Sequence, residues 1–340
     1  YPSLTREQIH TLISQLQAQH GSALLRLIQL DAQYTQLSQD LATWATQTPT
    51  VDPLDQVPLP APEYAYEQLK RMDLSEEIRR CWRRETELIK NASNTPIGYS
   101  LVYDEPIMGQ LPTLTANFDH VSTLSLTGDV NTSGGTGFIQ HFPNLYNLEL
   151  RRMPLGMLPE GLANMPHLTE LVLDSCNVRL TEQSVAQLSS MSQLTSLDLY
   201  SNPLGQVPSV EAMPNLTYLD LSSTGIDRLP PGLLTRPQLR SAILNNNRIS
   251  ELPDALFDLP NEISLASSQA EVAKTSASLV TEKDETESTD STTDMSVDYS
   301  SMTVSQMKHI LRSNGLKVSG RKAVWIERLE SDSASSAVSI

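Results

Sequence analysis

Apolar residues in the first part of the chain recur three and four positions apart, a spacing that predicts helices. The pattern begins after Thr5, which forms a capping-box pattern with Gln8, and a break at Gly21-Ser22 divides it into two helices that end near residue 46. Five prolines between residues 48 and 62 predict a linker. A third helix is then predicted over about residues 64–92.

Four arginines in this third helix allow two readings. They could form a phosphate-binding patch, or they could be a solvated face that pairs with Glu76, Glu77 and Glu87 at helical offsets. The spacing favours the second reading. The arginines are Arg79, Arg80, Arg83 and Arg84.

The segment 95–120 changes to short alternating runs, at residues 99–103 and 111–114, which predict strands. It lies directly before a series of repeats. Because the first layer of a repeat stack must be covered, we expect this segment and the third helix to form an N-terminal cap.

Residues 121–262 repeat one pattern, L-x-x-L-x-L, at intervals of 23, 26, 22 and 23 residues. The clear units begin at Pro143, Pro166, Ser192, Pro214 and Pro237, and a weaker unit begins at Val121. Repetition in register identifies these units as leucine-rich repeats, which predicts an α/β leucine-rich-repeat solenoid with an N-terminal helical region. The 26-residue unit is expected to hold a short helix after Thr181.

A small or polar residue follows each strand of the repeat at a fixed position. Cys176, Asn202, Thr224 and Asn247 occupy it, while Met153 departs from the pattern. Such side chains can satisfy buried backbone groups from coil to coil, so we expect a ladder at this position. Cys176 is thus expected to be a ladder residue and not a nucleophile.

The residues between the leucines are predicted to line the concave face and to bind a protein partner. Asp198, Asp220 and Glu149 take equivalent positions, which suggests an acidic stripe that recognises a basic partner, with two tyrosines as anchors. Ordinary solvated decoration is the alternative. The predicted partner-binding residues are Glu149, Arg151, Glu170, Asp174, Asp198, Tyr200, Tyr218, Asp220 and Asn245.

After the repeats, residues 263–300 are rich in Ser, Thr, Asp and Glu, which predicts a disordered acidic linker. The repeat pattern is interpreted as failing at Pro260, because Glu262 would take a core leucine position. Residues 301–332 carry a helix–glycine–helix pattern, and residues 333–340 are predicted to be a disordered tail.

The pattern from Met302 to Leu329 resembles a SAP motif, through Leu311, Gly315-Leu316, the Gly320-x-Lys322 turn and the closing Ile326-x-Arg328-Leu329. The resemblance implies a small two-helix domain that binds DNA. Basic side chains there can meet phosphates, so sequence-tolerant and salt-sensitive binding is expected; packing on protein is the alternative. The predicted nucleic-acid-binding residues are Lys308, Arg312, Lys317, Arg321, Lys322 and Arg328.

Residues 1–260 together resemble the repeat region of bacterial IpaH- and YopM-like type III effectors, including larger Pseudomonas proteins. That resemblance implies a secreted effector acting in the host cytoplasm or nucleus, and a novel-E3-ligase domain in a longer parent protein. The family's catalytic C-x-D motif is not matched, because Cys81 precedes Trp-Arg and Cys176 precedes Asn-Val. Ligase activity is therefore not expected of this chain.

Charge and composition reduce the number of functions that fit this sequence. The net charge of −16 argues against nucleic-acid binding by the whole chain, although residues 302–340 carry six basic against three acidic side chains. Two distant cysteines predict a reducing compartment. Scattered histidines and missing nucleotide motifs give no reason to expect a catalytic site, metal, cofactor, small-molecule substrate or membrane span. We expect an interaction scaffold with a DNA-binding tail; the alternatives are an effector's substrate-recognition region and a repeat fragment whose tail binds only protein.

Overall fold

The computed structural model describes residues 5–250 and the strand at 262–264. It begins with helices α1 (Arg6–His20) and α2 (Ala23–Thr46). The capping box at Thr5 is present, and Gly21 ends α1 with a φ of 71°. The two predicted helices and the break between them are therefore confirmed.

The third helix, α3, spans Ala61–Trp82 and is shorter than predicted. Arg84 turns the chain at a φ of 62°, and residues that were expected to continue the helix form strand β1 (Leu88–Lys90). Pairing with the next strand satisfies their backbone groups, so tertiary structure overrides the helical pattern here. The helical region 1–94 thus also contains a strand.

A nine-stranded sheet follows the chain order from β1 to β9. Strands β1 and β2 are antiparallel, and every later neighbouring pair is parallel. The remaining strands are β2 (Pro96–Ile107), β3 (Val121–Gly128), β4 (Asn147–Arg151), β5 (Glu170–Asp174), β6 (Ser196–Asp198), β7 (Tyr218–Asp220), β8 (Ser241–Ile243) and β9 (Glu262–Ser264).

The sheet extends beyond both predicted boundaries of the repeats. The predicted strand at residues 99–103 is part of β2, which pairs with the first repeat strand, whereas residues 111–114 form none. At the other end, β9 places Ile263, and not Glu262, opposite Ala242 in the leucine row. The interpretation that Glu262 takes a core position was therefore wrong by its register.

The segments that return from one strand to the next are mostly irregular. They contain α4 (Gly135–Ile139), α5 (Glu182–Ser189) and two short 3-10 helices, Leu162–Asn164 and Leu233–Thr235. The predicted helix of the 26-residue unit is α5, and Thr181 caps it. In the described part of the chain, no helix combines the length and the apolar character needed to cross a membrane.

One hydrophobic core runs from the helices into the repeats. Leu37 and Leu41 of α2 and Leu74 of α3 join the same buried cluster as Leu101 of β2 and the leucine row that begins at Leu124. The helices thus pack on the first strands of the sheet and remove their apolar side chains from water.

Arg71 of α3 holds this end of the sheet together from a buried position. Its guanidinium donates to the backbone oxygens of Trp44 at 3.1 Å, Gln47 at 3.2 Å and Met108 at 2.9 Å, and it lies 4.7 Å from the Trp44 ring centroid. Desolvation lowers the pKa of Arg71 from its ordinary value. The side chain therefore joins the end of α2, α3 and the segment after β2.

We expect Arg71→Met to lower the free energy of unfolding by about 2–4 kcal/mol, because buried carbonyls lose their donor. Urea denaturation followed by circular dichroism measures this effect. Arg228→Met, at an exposed arginine, is the control and is expected to change stability by less than about 0.5 kcal/mol. Equal effects of the two substitutions would contradict the role given to Arg71.

The predicted ladder is present inside the turns that follow the strands. Asn202 accepts from the backbone nitrogens of Cys176 at 3.0 Å and Val178 at 2.8 Å, and it donates to the carbonyls of Leu173 and Leu199. Asn247 repeats this arrangement one repeat beyond Thr224. Each asparagine therefore connects its own turn to that of the preceding repeat.

The residue before each ladder position adopts a left-handed backbone conformation. Ser175, Ser201, Ser223 and Asn246 have φ between 55° and 57°, although none is glycine, and Arg152 has a φ of 51°. This conformation is unfavourable for ordinary residues, so the hydrogen bonds of the ladder must offset its cost.

We predict that Asn202→Leu destabilises the chain by about 2–4 kcal/mol, because several buried backbone groups would lose their partner. The decrease in thermal midpoint measures it. Asn215→Leu is the matched control, since Asn215 is exposed. A ladder without structural importance would leave the two variants equally stable.

Candidate functional site

The face of the sheet opposite the leucine core carries the predicted partner-binding residues, and we call it the polar face. Strand register aligns its side chains in columns across neighbouring repeats. The central column contains Ser125, Glu149, Val172, Asp198, Asp220 and Ile243. The sequence-based equivalence of Glu149, Asp198 and Asp220 is therefore confirmed.

Most of these side chains are not solvent-exposed polar residues without a structural role. Glu149, Arg151, Asp198, Tyr218 and Asp220 are buried, each with at most 5% of its surface exposed. Glu170, Asp174 and Asn245 are half-buried, and Tyr200 is 37% exposed. Lateral contacts between the columns engage several of their charged groups, so the solvent-accessible part of this face is smaller than the set of nine residues. Partner binding by these residues stays a prediction.

Arg151 neutralises one end of the acidic stripe. Its Nε donates to Glu149, and its Nη1 donates to Asp174 Oδ2 at 2.8 Å on the adjacent strand. Although desolvation opposes it, attraction from Glu149 and Asp174 keeps the pKa of this guanidinium raised. The stripe is thus a network of mixed charge at strands β4 and β5.

Asp198 and Asp220 form a buried acidic pair further along the face. Register places them opposite each other on adjacent strands, which lie about 4.8 Å apart in a sheet. Burial and repulsion from Asp220 raise the pKa of Asp198 to about 8. Asp198 accepts from the Tyr200 backbone nitrogen at 2.9 Å, and Asp220 accepts from the Ser222 nitrogen at 2.8 Å.

Two further polar groups on this face were not among the predicted site residues. Ser196 is only 2% exposed, and its Oγ has no hydrogen-bond partner in the described part of the chain. Asn147 Oδ1 is also unsatisfied there, although its Nδ2 donates to Glu170 at 2.6 Å. The sequence did contain a signal for both residues, because each lies two positions before the central-column residue of its own strand and therefore on the same face.

Neither cysteine suits nucleophilic chemistry. Cys81 and Cys176 are buried, and burial raises the pKa of each thiol to about 12. The Cys176 thiol donates to the Leu150 carbonyl at 3.3 Å, as expected for a ladder residue. Across residues 5–250, no group of three or more histidine, cysteine, aspartate or glutamate residues could hold a metal ion.

Three of the four arginines, Arg79, Arg80 and Arg83, pair with carboxylates as the favoured reading predicted, although Arg83 and Arg84 follow the end of α3. Arg79 and Arg83 contact Glu76 at 3.2 and 3.1 Å, and Arg80 contacts Glu77 at 2.7 Å. Arg83 also contacts Glu85 at 2.8 Å, a partner that the spacing argument missed in favour of Glu87.

The raised pKa of Asp198 predicts a pH-dependent stability. Between about pH 4 and pH 8 the folded chain holds a proton that the unfolded chain releases, so stability falls as pH rises through this window. Asp198→Asn is expected to remove that dependence and to stabilise the chain by about 1–3 kcal/mol above pH 8. Urea unfolding at several pH values tests this, with Asp227→Asn as the exposed control.

The predicted DNA-binding residues Lys308, Arg312, Lys317, Arg321, Lys322 and Arg328 lie outside the described residues, as do the predicted acidic linker and tail. Comparison with family models nevertheless matches residues 298–332 to the SAP domain and residues 215–236 to the leucine-rich repeat. SAP domains bind DNA, and leucine-rich-repeat proteins are generally protein-interaction scaffolds.

Curated relatives match only parts of this chain. An adenylate cyclase of Mycosarcoma maydis is 36% identical over 102 residues, which is 29% of this chain and 4% of that protein. The protein flightless-1 homolog of Caenorhabditis elegans is 35% identical over 27% of this chain and 8% of its own length. The transforming growth factor beta activator LRRC33 of Danio rerio is 34% identical over 34% of this chain and 17% of its own length. The chain therefore spans less than a fifth of each relative.

Among solved structures, internalin C2 of Listeria monocytogenes is similar over 52% of this chain and 88% of its own. The sequence identity is 16% and the TM-score is 0.32.

Proposed function

We propose that this chain is a scaffold that holds a protein partner on the polar face of its repeats and attaches it to DNA through residues 301–332. The polar face is taken as the concave side of a solenoid, and residues 301–332 as a two-helix domain. The observation that carries the protein-binding part is the alignment of five carboxylates with one guanidinium on strands β4–β7. This excess of negative charge attracts basic groups.

The partner would enter at the more exposed edge of this face. Tyr200 offers an aromatic contact there, and the half-buried Asp174 lies beside it, since the Ser175 nitrogen donates to the Tyr200 carbonyl at 2.9 Å. Glu170 is half-buried at the other end of β5. A basic side chain that reaches Asp198 would favour its ionised form and relieve its repulsion with Asp220. Recognition of a basic partner would then release a proton, and affinity would rise as pH approaches 8.

A fluorescent lysine–glycine peptide without apolar residues tests the polar face by anisotropy on the full chain. We expect Glu170→Lys to weaken binding about tenfold, because it reverses a charge beside the acidic pair. Glu160→Lys makes the same charge change at an exposed position and is expected to have a much smaller effect. Equal losses would show that only the net charge attracts the peptide.

The DNA-binding part is tested with the full chain and a 20-base-pair duplex. We expect Arg321→Glu and Lys322→Glu together to weaken DNA binding at least tenfold. The slope of log binding constant against log salt concentration should also become shallower by about 2, one for each lost phosphate contact. Arg228→Glu with Lys90→Glu is the control with the same charge change. Unaltered binding by the Arg321 and Lys322 variant would refute phosphate contact by the SAP-like segment.

The alternative is the substrate-recognition region of a bacterial effector ubiquitin ligase whose catalytic domain is not in this chain. The helices that precede and pack against the repeat sheet favour it. The buried thiols predict no ubiquitin thioester on Cys81 or Cys176. A ubiquitin thioester on either cysteine, detected on non-reducing gels with an activating and a conjugating enzyme, would contradict the statement that the catalytic cysteine is not in this chain.

A further inference from the structure

Helix α3 carries a second surface that the proposed function does not use. Its buried side packs on α2 and β2, whereas Tyr66, Leu69 and Met72 point outward at three-residue intervals and are 54%, 61% and 55% exposed. They line a groove of about 450 Å³ between α3 and the outer end of β2. Three large apolar side chains exposed on one helix face mark an interaction surface.

The groove is formed by fixed contacts with β2. Tyr103 of β2 is buried and donates to the Lys70 carbonyl at 2.8 Å, while Lys70 Nζ donates to the Pro106 carbonyl and pairs with Glu67. Tyr66 extends across the opening and donates to Glu105 at 3.2 Å. Because α3 and β2 are joined at three points, the apolar side chains lie on a rigid base.

The charges around the groove are mostly negative. Asp73, Glu76 and Glu105 line it, and the lining lysine, Lys70, is buried against Glu67. The acidic side chains also contribute to raised pKa values of two tyrosines. The hydrogen bond to Glu105 raises the pKa of Tyr66, and burial followed by the charges of Asp73 and Glu105 raises that of Tyr103. Glu76 is paired with Arg79 and Arg83, so Asp73 and Glu105 dominate the available charge.

We propose that this α3–β2 groove binds an amphipathic helix of a partner protein, with apolar residues at i, i+3 and i+4 over Leu69 and Met72 and with lysine or arginine facing Asp73 and Glu105. An apolar stripe bounded by acidic side chains is complementary in both shape and charge to such a helix. The basic flanks favour this partner over a second copy of the chain, whose overall charge is −16.

The test uses the full chain and a fluorescent 18-residue leucine–lysine peptide designed as an amphipathic helix. We expect Leu69→Glu and Met72→Glu each to weaken binding at least tenfold. Leu25→Glu is the matched control, since Leu25 is 63% exposed on α2 and the substitution adds the same charge. The affinity of this variant for the peptide is expected to stay within about twofold of that of the unaltered chain. Equal effects of Leu69→Glu and Leu25→Glu would overturn the proposal.

Further measurements separate the groove from other binding modes. A leucine–lysine peptide with the same composition in scrambled order is expected to bind at least tenfold more weakly, and Asp73→Lys to weaken the amphipathic peptide similarly. Glu170→Lys, on the polar face, should leave that peptide's affinity within about twofold, so failure here is distinguishable from failure of the proposed function. Self-association abolished by Leu69→Glu in sedimentation equilibrium would instead assign the groove to a second copy and refute the proposal.

Discussion

The need to satisfy backbone polar groups inside the turns controls the whole repeat region. After each of strands β4 to β8 the chain turns through a left-handed residue and then buries peptide groups between neighbouring repeats. Asn202 and Asn247 meet this need with one side chain that both accepts and donates. Because each amide contacts two consecutive coils, it also fixes the register of their strands.

The fixed register has an electrostatic consequence on the polar face. Residues with the same place in successive repeats become neighbours, so carboxylates that are 22 residues apart in sequence lie opposite each other on adjacent strands. At strands β4 and β5 the chain compensates with Arg151, which joins Glu149 and Asp174. At strands β6 and β7 the backbone nitrogens of Tyr200 and Ser222 donate to Asp198 and Asp220, and the positive charge of Arg151 also favours the ionised form of Asp198. Burial and repulsion from Asp220 nevertheless raise the pKa of Asp198.

The helices before the repeats both complete the hydrophobic core and add a surface of their own. Buried leucines of α2 and α3 continue the core, and Arg71 joins three chain segments at the point where the sheet begins. The opposite side of α3 then has apolar side chains that the fold does not cover. The two proposed sites lie on different elements, the polar face on β4–β7 and the groove on α3 and β2, and differ in chemistry.

The repeat spacing by itself determined the parallel strands, the leucine rows and the ladder positions, because each depends on a local pattern that recurs at a constant interval. Thr5, Gly21 and Thr181 likewise determined where helices begin or end through contacts with nearby residues. Only the tertiary structure decided that residues 88–90 form a strand and that Ile263 pairs with Ala242, because both follow from pairing with other segments. The burial of Asp198 and the exposure of Leu69 were also decided there, since accessibility depends on what packs nearby and not on residue type.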